Sequence, residues 1–273
     1  MKDLLWILVV ASLGMTGCKH DFFSPDYVPP APPTGLRTLT GDNFIELFWK
    51  ANREYDLAGY NIFVSPSYDG KYQLIGSTRE PYFRDNGARN GNSYYYAVTA
   101  YDYDGNESDF SRDAVYDIPR PEGYDVTVTD YRSVPSSAGY DFSDYSVVPY
   151  TSQNVDMYYE YYSGDYYMNV RTDSDIQDVG PTGSLLDIGQ APLKGWSPTH
   201  DVLLSPGHTY VVWTWDDHYA KFRVVSMSPG RLVFDWAYQL QPSNPLLKRG
   251  GAQRGPASET IGVHDRSKTL SMD

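Results

Sequence analysis

The chain has 273 residues, a formal net charge of −13 and a single cysteine. This length suffices for one or two domains with stable cores. One cysteine excludes an intramolecular disulfide and any multi-cysteine zinc or iron–sulfur site. Because 35 acidic residues outnumber 22 basic ones, we expect no nucleic-acid partner, which would require a basic surface. The 26 tyrosines need a physical explanation, since each combines an apolar ring with a hydroxyl that requires water or a partner.

Residues 1–17 have the pattern of a secretory signal peptide. Lys2 precedes a mostly apolar run from Leu4 to Met15. This run is shorter than the roughly 20 residues that span a bilayer, and small residues follow it, as they do before a cleavage site. The segment therefore predicts export.

The end of this segment resembles the bacterial lipobox, in which small residues precede a cysteine. Met15-Thr16-Gly17-Cys18 carries the resemblance, which implies that Cys18 is acylated and becomes the first mature residue. Several acyl chains give stable anchoring. By resemblance to other lipoproteins, Lys19 after the anchor implies the outer membrane. The alternative is a structural cysteine behind an ordinary signal peptide.

Changes in composition divide the mature chain into four segments. Residues 18–32 form a Pro-rich linker, which prolines hold near polyproline II. A proline-bearing junction after residue 118 separates a first β-rich domain, residues 33–118, from a second, residues 123–245. Residues 246–273 have no apolar period and are predicted to be disordered. The acidic excess lies in the two β-rich domains.

The first domain contains seven short candidate strands, as in a small β-sandwich. Alternation places Ile45, Leu47 and Trp49 on one face of the second strand, and Tyr96 and Val98 on one face of the sixth. The candidate strands are Gly35–Thr40, Phe44–Lys50, Gly59–Ser65, Tyr72–Gly76, Tyr82–Asp85, Ser93–Tyr101 and Ser108–Tyr116.

This domain resembles a fibronectin type III domain over its whole length. Tyr94 occupies the tyrosine-corner position. The resemblance implies the fold but no particular function. The segments that carry it are Pro33–Leu36, Phe44–Trp49, Ala58–Phe63, Asn90–Asp102 and Asp104–Ser108.

Carboxylates alternate in Asp102-Tyr103-Asp104-Gly105-Asn106-Glu107. Calcium prefers six or more oxygen ligands, so this stretch could form a calcium loop. The bidentate glutamate of an EF-hand is absent, however, and Asp-Gly is a good hairpin turn. A turn is the simpler interpretation.

The second domain is predicted to be antiparallel, either a sandwich or barrel-like. The stretch Gln177–Pro206 is predicted to be a long loop. In the last strand, alternation predicts a core face beginning at Leu232 and a largely wet face beginning at Arg231. The candidate strands are Tyr124–Tyr131, Tyr145–Pro149, Val155–Ser163, Asp165–Thr172, Thr209–Trp215, Tyr219–Ser226 and Leu232–Leu240.

Three segments of this domain carry a family resemblance: Gly207–Val212, Tyr219–Val224 and Phe234–Tyr238. They resemble parts of β-rich domains of bacterial envelope lipoproteins, including the haem-scavenging HmuY type. Haem carriage would need axial ligands, usually histidines. The domain offers His200, His208 and His218, whose positions near turns and loops are equally typical of solvated histidines.

Six tyrosines fall on two adjacent hairpin strands and form the candidate binding surface. Alternate tyrosines of a strand face opposite sides, so at least half should face solvent or a partner. Exposed rings can stack on sugars or pack against protein; the alternative is that tyrosine is simply a good strand former. The six are Tyr158, Tyr159, Tyr161, Tyr162, Tyr166 and Tyr167.

Nucleophile-elbow, phosphate-loop, dinucleotide-binding and zinc-protease motifs are absent from the sequence. We therefore predict no enzyme activity, no cofactor and no metal site. The main expectation is a non-catalytic cell-envelope lipoprotein that acts as a binding or structural and assembly module, with a membrane anchor and a protein or polysaccharide partner. The alternatives are a carbohydrate-binding accessory lipoprotein that uses exposed tyrosines, and a haem or metal carrier.

Overall fold

The structure is a computed structural model that describes residues 26–113 and 115–247, and its elements form two antiparallel β-sandwiches. The predicted all-β class is confirmed. The signal peptide 1–17, Cys18, the first part of the linker and residues 248–273 of the predicted tail lie outside the described residues. Within residues 26–113 and 115–247, no helix has the length and apolar character needed to cross a bilayer.

The first sandwich packs a three-stranded sheet, β1-β2-β5, against a four-stranded sheet, β4-β3-β6-β7. Each predicted strand has a counterpart here. The strands are β1 Thr34–Thr40, β2 Ile45–Lys50, β3 Leu57–Ser65, β4 Gln73–Thr78, β5 Tyr82–Asp85, β6 Tyr94–Asp102 and β7 Val115–Asp117.

The core of the first sandwich follows the predicted alternation. Ile45, Leu47 and Trp49 are buried, and the Trp49 ring meets the Tyr60 ring edge-on at 5.1 Å between centroids. Tyr94 forms the predicted tyrosine corner: its hydroxyl accepts a hydrogen bond of 2.9 Å from the backbone N–H of Arg89. These contacts fix the two sheets against each other.

The seventh strand is shorter than the predicted Ser108–Tyr116. Ahead of β7, the hydroxyl of Ser108 accepts from the backbone N–H of Ala100 at 2.9 Å, and the hydroxyl of Ser111 accepts from the N–H of Val98 at 3.3 Å. These side chains substitute for ladder partners of β6, so the chain runs beside β6 before it forms a regular strand.

The second sandwich packs two five-stranded sheets, β10-β9-β11-β12-β14 and β13-β15-β16-β17-β8. It is therefore a sandwich rather than a barrel. Its strands are β8 Glu122–Thr129, β9 Gly139–Asp141, β10 Ser146–Val148, β11 Met157–Tyr162, β12 Asp165–Val170, β13 Asp175–Pro181, β14 Asp201–Leu203, β15 His208–Trp213, β16 Tyr219–Ser228 and β17 Arg231–Tyr238.

The prediction of a long loop over Gln177–Pro206 is wrong. The end of β13, a 3-10 helix at Leu185–Asp187 and the whole of β14 lie within it. The sequence signal is weak because β14 and β9 have three residues each, too few for a period of two to show. Residue Gly180, with φ of 90°, also interrupts the alternation in β13.

The prediction that one face of β17 is largely wet is also wrong. Ala237 on that face and Gln239, which directly follows β17, are buried. The chain around Ile188 and the C-terminal segment up to Leu247 fold across this side of the sheet. Lys221 donates from Nζ to the carbonyl of Ile188 at 2.7 Å, and Gln239 donates from Nε2 to the carbonyl of Leu246 at 2.8 Å. Leu246 and the buried Leu247 therefore belong to the sandwich rather than to the tail.

The two sandwiches meet at the turns that follow β1 and β5. The backbone N–H of Arg120 donates to the carbonyl of Gly41 at 3.2 Å. Gln241 donates from Nε2 to the carbonyl of Gly91 at 3.1 Å. These contacts place the second sandwich at one end of the first.

Candidate functional site

The β11–β12 hairpin holds all six tyrosines of the candidate binding surface. Its connection is Ser163-Gly164, with φ of 54° and 98°; two positive values are typical of a type I′ turn and match the twist of a hairpin. Tyr162 consequently pairs with Asp165, and the register continues to Met157 opposite Val170. Because directly paired residues share a face, this register assigns each tyrosine to one side of the sheet.

Three of the six tyrosines face the interior, which corrects their prediction as surface residues. Tyr159 has an exposed fraction of 0%, and its hydroxyl donates to the carbonyl of Ser228 at 2.5 Å. Tyr161 and Tyr166 form a cross-strand pair with ring centroids 5.1 Å apart, and both pack against the main core. These three side chains hold the two sheets of the sandwich together.

The other three tyrosines face outward and join two more rings. Tyr158 is half-buried between Tyr131, whose centroid is 5.4 Å away, and Tyr150, at 5.7 Å. Tyr162 has an exposed fraction of 56%, and Tyr167 is half-buried. We call this surface the outer tyrosine face: Tyr131, Tyr150, Tyr158, Tyr162 and Tyr167.

A charged pair lies in the middle of the outer tyrosine face. Glu160 accepts from Nε of Arg132 at 2.9 Å and from Nδ2 of Asn169 at 3.3 Å. The guanidinium of Arg132 lies 4.5 Å from the centroid of the Tyr162 ring, which is within the range of a cation–π contact. The surface therefore combines apolar ring faces with fixed donors and acceptors.

Three of the outer hydroxyls, those of Tyr131, Tyr158 and Tyr167, have a raised pKa and remain protonated over the physiological pH range. Burial raises the pKa of Tyr158. Burial and then the charge of Glu160 raise the pKa of Tyr131. Burial and then the charge of Asp165 raise the pKa of Tyr167. Because tyrosine ordinarily titrates near pH 10, these hydroxyls can act as hydrogen-bond donors to a ligand.

Tyr131, Arg132 and Tyr150 also belong to this surface, although the sequence pattern did not indicate it. All three lie in connections outside the hairpin. Tyr131 is the last residue of the predicted strand Tyr124–Tyr131, but β8 ends at Thr129. The backbone N–H of Tyr131 donates to the carbonyl of Tyr159 at 3.0 Å, so the chain after β8 runs along β11 and brings its aromatic side chain to the hairpin.

The three histidines considered as haem ligands are not brought together. His200 contacts the carbonyl of Ser174 through Nδ1 at 2.8 Å. His208 begins β15, whereas His218 lies in the turn beyond the other end of that strand. His208 and His218 therefore lie at opposite ends of β15, and each histidine contacts its own local partner.

The Asp102–Glu107 stretch forms a turn. Asp102 accepts from the backbone N–H groups of Asp104, at 3.0 Å, and Asn106, at 2.8 Å, through Oδ1. Although burial alone would raise it, the pKa of Asp102 is lowered, chiefly by hydrogen bonds from Asn106. Among residues 26–113 and 115–247, no group of three or more His, Cys, Asp or Glu side chains is arranged to hold a metal ion.

No protein-family model matches the chain. The amylopullulanase of Thermoanaerobacterium thermosulfurigenes is 35% identical over 100 residues, which is 36% of this chain and 5% of that enzyme. The amylopullulanase of Thermoanaerobacter thermohydrosulfuricus is 36% identical over 85 residues, 31% of this chain and 6% of that enzyme. The chain thus spans about one twentieth of the length of the curated relatives it matches.

Solved structures similar to this chain include an Fn3-like protein from Clostridium thermocellum, 32% identical, with a TM-score of 0.28 over 30% of this chain and 85% of that one. A DUF4466 family protein from Parabacteroides merdae is 10% identical, with a TM-score of 0.41 over 78% of this chain and 95% of that one. The structural neighbours of this all-β chain therefore include fibronectin type III-like proteins, as the resemblance of the first sandwich implies.

Proposed function

We propose that this protein is a non-catalytic lipoprotein of the cell envelope that binds a polysaccharide through the outer tyrosine face. One observation carries the proposal: five tyrosine rings from three segments share one open side of a sheet. Tyrosine presents a rigid, amphipathic surface at low cost in conformational entropy, and such rings can stack on sugars. An apolar face with built-in hydroxyls suits a ligand that is itself amphipathic.

The polar groups of the surface favour a sugar over a purely apolar partner. Glu160, Arg132 and Asn169 already form one hydrogen-bonded group, so their orientation is fixed before a ligand arrives. Fixed donors and acceptors reduce the ordering cost of binding. Ligand hydroxyls would then find partners beside the rings on which the sugar stacks.

The length of the surface favours a chain of sugars over a single one. Tyr158 and Tyr162 lie four residues apart on one strand, a separation of roughly 13 Å at the usual rise per residue. Tyr167 lies opposite Glu160, between the two. An extended polysaccharide can contact the rings in sequence, whereas a monosaccharide can contact only one.

The likeness to amylopullulanases supports an accessory role beside carbohydrate-active enzymes. It extends over 100 residues, 5% of the first of those enzymes, and is too short to carry a whole enzyme's activity. A role in polysaccharide binding without catalysis is consistent with both the likeness and the outer tyrosine face.

Binding is tested by titrating the purified chain with starch, pullulan, β-1,2-glucan and polysaccharides extracted from the envelope. We expect saturable binding to at least one. In the variant with Tyr158→Ala, Tyr162→Ala and Tyr167→Ala, affinity should fall by at least about tenfold, because central aromatic side chains contribute most of the binding energy of such surfaces.

The matched control removes three exposed tyrosines at the first sandwich and in the segment that leads into it: Tyr27→Ala, Tyr55→Ala and Tyr103→Ala. This variant should bind the polysaccharide as the unmodified chain does. Equal losses in both variants would contradict a site on the hairpin. If no polysaccharide binds, and the outer tyrosines instead govern capture of an envelope protein, the chain is an assembly module.

The anchor and the absence of catalysis have separate tests. Cys18→Ser should abolish palmitate incorporation and release the chain from the membrane; a variant that remains acylated and membrane-bound would contradict the anchor. Prolonged incubation with the bound polysaccharide should release no reducing ends, and steady release above a heat-treated control would show an enzyme.

A further inference from the structure

Four of the most exposed large hydrophobic side chains of the described residues lie at one end of the first sandwich, in its connections and in the segment that leads into it. Their exposed fractions are 94% for Tyr55, 78% for Tyr27, 72% for Val28 and 71% for Tyr103. A tyrosine exposed to this degree buries little of its ring on folding. A contribution to stability therefore does not explain why these three positions are tyrosines. We call this group the tyrosine tip: Tyr27, Val28, Tyr55 and Tyr103.

Hydrogen bonds bring the three segments of the tyrosine tip to the same end of the sandwich. Beside Tyr27, the carbonyl of Asp26 accepts from Nδ2 of Asn106 at 2.8 Å. Beside Tyr55, the carbonyl of Asp56 accepts from the backbone N–H of Tyr103 at 3.1 Å. The entry segment, the β2–β3 connection and the β6–β7 connection therefore meet here.

A further contact keeps the entry segment against the tip. The backbone N–H of Ala31 donates to Oε1 of Glu54 at 2.7 Å, and this bond lowers the pKa of Glu54. Asn52 donates from Nδ2 to the carbonyl of Ala31 at 2.7 Å. The described chain thus begins at the tip, and the second sandwich is joined at the opposite end through Gly41 and Gly91.

Covalent geometry limits how far the tip can lie from Cys18. The two are separated by the eight residue steps from Cys18 to Asp26, which span at most roughly 26–29 Å when fully extended. If Cys18 carries the lipid anchor of the proposed function, on which this inference rests, the tyrosine tip is the part of the described structure nearest the bilayer.

We propose that the tyrosine tip docks on a membrane surface rich in zwitterionic, ammonium-bearing lipid headgroups. Tyrosine is enriched at the membrane–water interface, where its ring meets apolar surroundings and its hydroxyl meets water. Tyrosine rings also attract quaternary ammonium groups. Docking would hold the first sandwich upright on its anchor and keep the second sandwich, which carries the outer tyrosine face, away from the bilayer.

The charges around the tip select the headgroup. Asp26, Asp56 and Asp104 lie beside the tyrosines, and Arg53 is the exposed base among them. This acidic excess complements an ammonium group and disfavours an anionic leaflet, which attracts basic segments instead. Phosphatidylcholine and phosphatidylethanolamine are therefore preferred over phosphatidylglycerol.

The test places a fluorescent label at the tip of the full-length, acylated chain in phosphatidylcholine vesicles. Because the only natural cysteine is then acylated, Tyr55→Cys provides a single free thiol for an environment-sensitive dye. The matched control is Tyr162→Cys on the second sandwich. We expect a blue-shifted emission at position 55 and quenching by brominated lipid that is at least twofold stronger there than at position 162.

The outcomes separate this inference from the proposed anchor. If the chain does not float with the vesicles, both the anchor and the docking are wrong. If it floats but position 55 is quenched no more than position 162, only the docking is wrong. Replacing half of the phosphatidylcholine with phosphatidylglycerol should weaken the quenching at position 55; unchanged or stronger quenching would overturn the preference for zwitterionic headgroups.

Discussion

The two faces of the β11–β12 hairpin carry the same residue type in different roles. On the inner face, Tyr159 is fully buried and its hydroxyl is bonded to a carbonyl of β16. On the outer face, Tyr162 keeps more than half of its surface in solvent and lies under the Arg132 guanidinium. An abundance of tyrosine therefore indicates neither a core nor a binding surface until the register of the strands is known.

The largest expected contrast is in stability. Tyr159→Ala should reduce the free energy of unfolding by about 3–5 kcal/mol, because it leaves a cavity between the sheets and removes the partner of the Ser228 carbonyl. Tyr162→Ala should change it by less than about 0.5 kcal/mol, as is usual for exposed positions. Denaturant unfolding of the two variants measures both values, and similar losses would contradict the assignment of the faces.

Next to the hairpin, burial changes the protonation of a carboxyl group, that of Asp156. Asp156, the residue before β11, has an exposed fraction of 1%. Its Oδ2 accepts from the backbone N–H of Phe142 at 2.7 Å, whereas Oδ1 has no hydrogen-bond partner among the described residues. Burial, and then the charges of Asp141 and Asp216, raise the pKa of Asp156 to about 7, although Arg171 and the Phe142 N–H oppose the shift.

This raised pKa makes part of the stability depend on pH. The folded state holds a proton that the unfolded state releases at a pKa near 3.9, so the contribution is present at low pH and is lost as the pH rises toward 7. The difference in unfolding free energy between the unmodified chain and Asp156→Asn should therefore shift by about 2–3 kcal/mol between pH 5 and pH 8, in favour of the variant.

The control for this prediction is Asp173→Asn. The hydrogen bond from Arg171 lowers the pKa of Asp173, so that carboxyl is ionised throughout the range from pH 5 to pH 8 in both states. Its stability difference should be flat over this range. A flat difference for Asp156→Asn as well would mean that the Asp156 carboxyl is ionised in the folded state.

The fold could be predicted from the sequence wherever apolar and polar residues alternate along a strand in step with burial. Ile45, Leu47 and Trp49 alternate with less buried neighbours, and the first sandwich follows from such patterns. In the second sandwich, β9 and β14 are too short to show a period. The burial of Ala237 in β17, and of Gln239 just beyond it, depends on a distant segment that folds back over them. Local sequence does not encode this contact.

The assignment of the hairpin tyrosines to the inner and outer faces could be predicted only in part. Alternation indicated that about half would face outward, but tyrosine on both faces provides no contrast. The polar Glu160, in phase with Tyr158 and Tyr162, is the signal that identifies the outer side. Tyr131 and Tyr150 join through contacts between distant segments, which no periodicity reveals.

The smallest expected effect concerns the charged pair on the outer tyrosine face. Arg132 holds Glu160 and lies over the Tyr162 ring, so Arg132→Ala should release both side chains without opening the core. If the face binds polysaccharide as proposed, the affinity should fall roughly two- to fivefold, the value of one exposed cation–π contact. The affinity of the Arg132→Lys variant should be intermediate between those of the unmodified chain and Arg132→Ala, since lysine keeps the charge but not the planar guanidinium. Calorimetric titration of the three proteins measures this order; an affinity unaffected by Arg132→Ala would mean that the rings bind without the pair and that the Arg132–Glu160 contact serves the fold alone.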